Sequence, residues 1–197
     1  MNDERVWILQ AQHGSDEAFA RLVEKYQTPV YNLCYRMLSE PEIAEEAAQE
    51  TFLRAFQGIL RYDSGRPFAT WLLSIAAHYC IDSLRRRKLN VISIDDDDVT
   101  IEIPDVGALN PEVEAVRSEE RDQLNAMLRS LDAIDRAAIV LRYWYDFSEA
   151  EIAQSLSLTV SAVKSRLHRT RRVLGRMWQD ESRHTGVERI PHESPAF

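Results

Sequence analysis

Between Asp95 and Asp122 the chain carries eleven carboxylates against only Arg117 and Arg121, a net charge of −9. The earlier part of this run contains Pro104, Gly107 and Pro111 and has no helical period, so it reads as a flexible linker rather than a packed element. A self-repelling, repeatedly broken segment does not cross a hydrophobic core, so it divides the 197 residues into two helical units. It also accounts for the formal net charge of −8, which leaves room for basic surfaces on either side. Fully extended, its roughly 28 residues reach about 90 Å. That length predicts two domains without a fixed mutual orientation unless a partner clamps them. The expected boundaries are a first domain over 1–90, the acidic linker over 91–117, a second domain over 118–180 and a polar, disordered tail over 181–197.

The flanking segments have the period of amphipathic helices, so the expected class is all-α. Phe19, Leu22, Val23 and Tyr26 recur at i, i+3, i+4 and i+7. Val30, Leu33, Cys34 and Met37 repeat the pattern, with Thr28 placed as an N-cap and Pro29 as the first residue of a second helix. Ser39 and Glu42 have the spacing of a capping box. The stripe Phe68, Trp71, Leu72, Ile75 and Tyr79 marks a further helix after the turn-like RYDSGR. Beyond the linker come Leu124, Met127, Leu128 and Leu131 on one face, then a helix in IDRAAIVLRYWYD.

Composition narrows the function. Hydrophobic residues at 45% and charged residues at 28% suit a folded globular chain. No apolar run approaches the roughly 18 residues of a membrane span, and MNDERVWILQ is not a secretory leader. Cys34 and Cys80, far apart and without a CxxC, read as reduced thiols of a cytoplasmic protein. The five histidines are scattered, and there is no HExxH, Walker loop or GxSxG elbow. No catalytic residue, metal site or cofactor is expected.

The most charged helix is the most informative. SAVKSRLHRTRRVLGRM, residues 161–177, has six Lys or Arg and no carboxylate. It follows FSEAEIAQSL, where Ser148 and Glu151 again have capping-box spacing, and the short turn SLT. A capped helix, a tight turn and a longer basic helix form a helix-turn-helix pattern, whose second helix fits a DNA major groove. Ile152, Ala153 and Leu156 supply the inward face of the first helix, and Val160, Val163 and Leu167 that of the second. Ser161, Lys164, Ser165, His168 and Arg172 are left toward solvent. Lys164, Ser165 and His168 are placed to reach base edges; Arg169, Arg171 and Arg172 are placed to grip phosphates, with Arg166 in either set.

Residues 61–90 are a second basic segment. Arg61, Arg66, Arg85, Arg86, Arg87 and Lys88 face only Asp63 and Asp82, with Tyr62, Phe68, Trp71 and Tyr79 interleaved. Basic grooves with aromatic platforms bind single-stranded nucleic acid. Phe68, Trp71 and Tyr79 belong to the apolar stripe, which leaves Tyr62, His78 and the Arg85–Lys88 cluster to act.

EEAAQETFLRAF, PFATWLLSIAAHYCIDSLRRRK and FSEAEIAQSLSLTVSAVKSRLHRTRRVL, in that order around a linker, resemble the extracytoplasmic-function sigma factors of bacterial RNA polymerase. The resemblance covers nearly the whole chain. It implies a first domain, region two, that binds core polymerase and opens the minus-ten element, and a second, region four, that reads the minus-thirty-five element. Matched position by position, Glu46, Gln49 and Glu50 fall on the polymerase-contacting surface, on a helix whose apolar side, Ile43, Ala47 and Phe52, points elsewhere. Tyr62, Asp63 and Ser64 fall on the loop that captures a flipped base, and His78 stands where the family usually has Asn. Ser161, Lys164, Ser165, His168 and Arg169 match the reading face of the recognition helix. Ser157 replaces a turn Gly, Ala162 a frequent Thr, and Leu131-Asp132 a common Leu-Pro. The resemblance implies three partners: core polymerase, promoter DNA and an anti-sigma factor. The alternative on the residues alone is a helix-turn-helix regulator that binds promoters without polymerase.

Overall fold

The computed structural model describes residues 3–91 and 122–184, and all their regular structure is helical. The first half contains α1 (Asp3–Gln12), α2 (Asp16–Leu38), α3 (Pro41–Gly58), a 3₁₀ turn (Ile59–Arg61) and α4 (Phe68–Val91). The second contains α5 (122–129), α6 (Ala133–Trp144), α7 (Glu149–Ser155) and α8 (Val160–His184). Most of the expected linker, and the tail beyond His184, lie outside the described residues; 181–184 still belong to α8.

The first half is a four-helix unit built around α2. Ser15 caps α2, its side chain accepting from Ala18 N at 3.2 Å, and Asp16 and Glu17 complement the helix dipole in the first turn. The expected break at Thr28–Pro29 does not occur: α2 runs through Pro29 without interruption. A proline inside a helix removes one backbone hydrogen bond, at about 3 kcal/mol. Against that, Phe19, Leu22, Tyr26, Val30, Leu33 and Met37 form one buried stripe across the site. Burial is worth about 1.5–3 kcal/mol for each large apolar side chain, so the continuous stripe prevails.

The expected capping box at Ser39 and Glu42 is also absent. Ser39 instead ends α2 in the left-handed region at φ 62°, its N–H returning to Tyr35 O at 2.7 Å. Glu40 is the N-cap of α3 without a side-chain bond, and Pro41 opens the helix. The short connection uses Ser39 for the C-cap, so it cannot also serve the next helix. On its inner side α3 buries Ala44, Ala47, Ala48, Thr51 and Ala55, small side chains that let its neighbours come close. Cys34 and Cys80 are buried free thiols between α2 and α4. Their mutual hydrogen bond, with burial, pushes the Cys80 thiol far up, which keeps it protonated and unreactive.

The two halves pack against each other, contrary to the independent domains expected from the linker. The reason lies in α6. Six successive residues, Arg136 to Leu141, are all buried, and six residues at 100° each pass more than once around a helix. A helix buried all round must be enclosed on every side. One side of α6 meets α7 and α8, the other α2 and α4. The seam has specific polar contacts as well. Tyr145 OH donates to Pro29 O at 2.7 Å, and the buried Ser74 Oγ donates to Ser155 Oγ at 2.6 Å. The Arg36 guanidinium lies 5.1 Å from the Trp144 ring centre. Arg136 donates to Met37 O at the end of α2 and to Arg129 O at 2.7 Å.

Candidate functional site

The outer side of α3 carries the acidic group singled out from the sequence. Glu46 and Gln49 are exposed; Glu50 is half-exposed and accepts from Arg54 Nε at 2.7 Å. Phe52, expected to point away, is half-buried and borders the same groove of about 560 Å³ as Gln49, with Val23, Tyr31 and Ala48. On a helix, positions 45, 48, 49 and 52 share a face, so Phe52 returns beside Gln49 rather than opposite it. Farther along, Leu53, Phe56 and Leu60 expose large apolar side chains. Acidic and apolar groups therefore share this surface, which suits a protein partner better than nucleic acid.

The loop between the 3₁₀ turn and α4 corrects one site residue. Tyr62 is not free to line a pocket: it is 7% exposed, packs on Phe68 and Trp71 with centroids 5.4 and 5.0 Å away, and donates its hydroxyl to Arg66 O. Its ring joins Phe68 and Trp71 in one aromatic cluster, and the short loop returns Arg66 O over its hydroxyl. Tyr62 thus shapes the loop from beneath. Above it, Asp63 Oδ1 accepts from Gly65 N at 2.9 Å, an Asx turn that leaves Asp63 and Ser64 exposed. Gln12 Nε2 supports the loop from α1 through Ile59 O at 3.0 Å and Tyr62 O at 3.1 Å.

On α4, His78 is exposed and Arg85 lies two turns along the same side. Phe68 is buried and Trp71 half-buried, as their place on the stripe predicts. Half-buried Tyr79 has Arg54 at 4.9 Å and Arg86 at 6.0 Å from its ring centre. Arg85, Arg86 and Lys88 are exposed, whereas half-buried Arg87 forms a two-pronged pair with Glu40. Arg87 ties the end of α4 to the start of α3 and is set apart from its three neighbours.

In the second half, the capping box of α7 is complete. Ser148 Oγ accepts from Glu151 N at 3.2 Å, and Glu151 Oε2 accepts from Ser148 Oγ at 2.7 Å and Ser148 N at 2.8 Å. These bonds from Ser148 hold the Glu151 carboxyl below the usual range. Asp132, at the Leu-Pro departure, caps α6 by accepting from Ile134 N at 3.1 Å. Ser157 turns the chain into α8 at φ 55°, a left-handed conformation that a glycine would adopt without strain. Thr159 Oγ1 then caps α8 by accepting from Ala162 N at 3.2 Å.

The face division of α8 holds with two corrections. Val163 and Leu167 are buried as expected; Val160, the first residue of the helix, is 42% exposed. Ser161, Lys164, Ser165, His168, Arg169, Arg171 and Arg172 are exposed. Arg166 is not: it is half-buried and bonded to Asp135 Oδ1 at 2.6 Å, and Asp135 Oδ2 accepts from Arg169 Nη2 at 3.1 Å. Sequence reasoning passed over Asp135, although it shares the first turn of α6 with its cap. Among the described residues no group of His, Cys, Asp or Glu is arranged to hold a metal ion, and no helix is long and apolar enough to cross a membrane.

Comparison with known proteins joins these surfaces to a family. Residues 22–89 match the model of Sigma-70 region 2, and residues 121–174 that of Sigma-70 region 4. The chain is 36% identical over 179 residues to the ECF RNA polymerase sigma factor SigW of Bacillus subtilis strain 168, covering 88% of this chain and 95% of that relative. It is 30% identical over 165 residues to SigX of the same organism, an ECF RNA polymerase sigma factor, covering 81% and 82%. Two solved structures share the fold. CnrH in complex with the cytosolic domain of CnrY has a TM-score of 0.67 at 24% identity, covering 92% of this chain and all of that one. RpoE of Bartonella quintana in complex with the anti-sigma factor NepR has a TM-score of 0.64 at 21% identity, covering 82% and 96%. With both sigma regions matched in order and a relative of this identity spanned almost end to end, the chain belongs to the ECF sigma factors of RNA polymerase, proteins that direct the polymerase to promoters.

Proposed function

We propose that this sigma factor divides its work among the three surfaces just described. Glu46, Gln49 and Glu50 dock on core polymerase. Asp63, Ser64 and His78 contact the opened minus-ten element, with Arg85, Arg86 and Lys88 on its phosphates. Ser161, Lys164, Ser165 and His168 read the minus-thirty-five element, while Arg169, Arg171 and Arg172 grip the flanking backbone. Tyr62, Arg87 and Arg166 act from within the fold. The observation that carries this reading is the one-sided α8: Val163 and Leu167 are buried, and its opposite face is exposed and basic. The polar groups of that face can meet base edges and phosphates in a major groove.

The domain limits proposed are 1–90 for region two and 118–180 for region four, with the acidic segment 91–117 joining them. Two promoter elements more than one DNA turn apart, a turn being about 34–36 Å, cannot both be met by domains packed face to face. Promoter binding on this reading requires the seam around Arg136 to open. CnrH and RpoE were solved with CnrY and with an anti-sigma factor respectively, which supports an anti-sigma partner here as well. The protein acts in the cytoplasm, and the chemistry of RNA synthesis belongs to the polymerase.

The test is a charge reversal. Glu46→Lys with Glu50→Lys places two cations where the partner expects anions. It is expected to reduce co-purification with core polymerase at least about tenfold, since like charges facing each other across an interface cost several kcal/mol. The melting curve should stay close to wild type, both side chains lying on an outer face. Unchanged co-purification would remove this surface from the polymerase interface.

A further inference from the structure

We propose that Asp135 is a positioning residue for promoter recognition, holding Arg166 off the DNA and setting the direction of Arg169. This inference rests on the reading of α8 as the minus-thirty-five helix, and deepens it. The Asp135 side chain is only 13% exposed, and its two oxygens serve different arginines, Arg166 at 2.6 Å and Arg169 at 3.1 Å. Arg166, with a side chain 29% exposed, is withdrawn from solvent as a tie between α6 and α8. Arg169 is 62% exposed and gives Asp135 one terminal nitrogen. A guanidinium has five N–H donors in a rigid fork, so fixing one end leaves the others aimed outward in a set direction. An anchored Arg169 meets a phosphate in one register only. That converts a backbone contact into a constraint on how α8 sits in the groove.

A further ion pair of the reading helix has no such design. Lys164 Nζ lies 3.6 Å from Glu149, with side chains 62% and 38% exposed, an ordinary surface pair that solvent loosens. Asp135 differs because one mostly withdrawn carboxylate is shared by two cations of the same helix. Its place in the first turn of α6 also suits a negative charge next to the helix dipole. A purely structural role would therefore appear as lost stability alone. A positioning role predicts a change in how DNA is bound.

The experiment compares wild type, Asp135→Asn, Asp135→Glu and Arg172→Ala, each assembled with core polymerase. Affinities for promoter DNA and for a random-sequence duplex are measured from 50 to 200 mM salt, with melting curves in parallel. Asp135→Asn keeps the side-chain shape and releases both arginines. Its salt slope should steepen by about one, roughly 0.9 for the new phosphate contact of Arg166, Arg169 being on the backbone already. The ratio of promoter to random affinity should fall about tenfold, because the freed cations grip any sequence, and Asp135→Glu should recover most of that ratio. If Arg172→Ala weakens binding while Asp135→Asn keeps the wild-type slope and ratio, whatever its melting curve, the positioning role is wrong and the reading of α8 stands. An equal loss on both DNAs with no steeper slope also overturns it. If Arg172→Ala leaves binding unchanged, the reading of α8 fails and the role of Asp135 fails with it.

Discussion

Replacing Arg136 with alanine is expected to lower the stability of the free protein by about 3 kcal/mol. The guanidinium is 5% exposed and, among the described residues, is hydrogen-bonded to carbonyls rather than to a carboxylate; it donates to Met37 O, Arg129 O and, at 3.4 Å, Leu131 O. Burial pushes its pKa below the ordinary arginine value, yet an arginine this basic stays charged. Hydrogen bonds from a charged donor contribute about 1.5–3 kcal/mol each, and their loss leaves buried carbonyls unpaired. The gain from no longer burying a charge offsets part of this. The net value corresponds to a fall of about 6–12 °C in Tm for a chain of this size, read by circular dichroism. Because Met37 closes α2 and Arg136 opens α6, the variant should also let the halves separate, seen as a longer distance between dyes on α3 and α8. A melting curve within about 2 °C of wild type and an unchanged distance would mean that the seam does not hold the free protein closed.

The second large effect concerns opening of the minus-ten element. Changing Arg85, Arg86 and Lys88 together to alanine removes three exposed cations, while Arg87 stays with Glu40. Each phosphate contact contributes about 0.7–0.9 to the salt slope, so the slope of open-complex formation should become shallower by about two to three. Between 50 and 200 mM salt that difference amounts to about 20- to 40-fold in relative affinity. The variant should be weakest against wild type at low salt and lose less on raising it. Arg87→Ala should instead leave the slope almost unchanged and lower stability. Permanganate footprinting of the opened strand across a salt series separates the two. Equal slopes for wild type and the triple variant would take the cluster off the DNA.

What is legible in the sequence depends on where each side chain's partners come from. Features set within a few residues were legible. The capping box of Ser148 and Glu151 closes within one turn, and the burial of Val163 and Leu167 follows from helical period alone. Features set by distant partners were not. The period of Val30, Leu33 and Met37 was visible, but its continuity with Leu22 and Tyr26 matters more than Pro29, and local rules give proline the greater weight. Tyr62 looked available because it sits among loop residues, yet Phe68 and Trp71 enclose it from the next helix. Arg166 and Arg87 counted as DNA cations until Asp135 and Glu40, 31 and 47 residues away, were seen to hold them. The packing of the two halves did leave a trace. AAIVL is apolar at five successive positions, more than one full turn of helix, so this segment needs neighbours on every side.

On the proposed division of surfaces, this chain recognises promoters as part of RNA polymerase, with α8 reading one element and α4 opening the other. Transcription in vitro from a randomised promoter library, with purified core polymerase, with and without this protein, tests it most directly. No specific transcript is expected from either component alone. Together they should select a two-part motif, with its elements more than one DNA turn apart. Lys164→Ala should relax only the upstream element, and His78→Asn should alter only the downstream one. Selection of an upstream motif by the protein alone, or transcripts with no two-part motif, would contradict it.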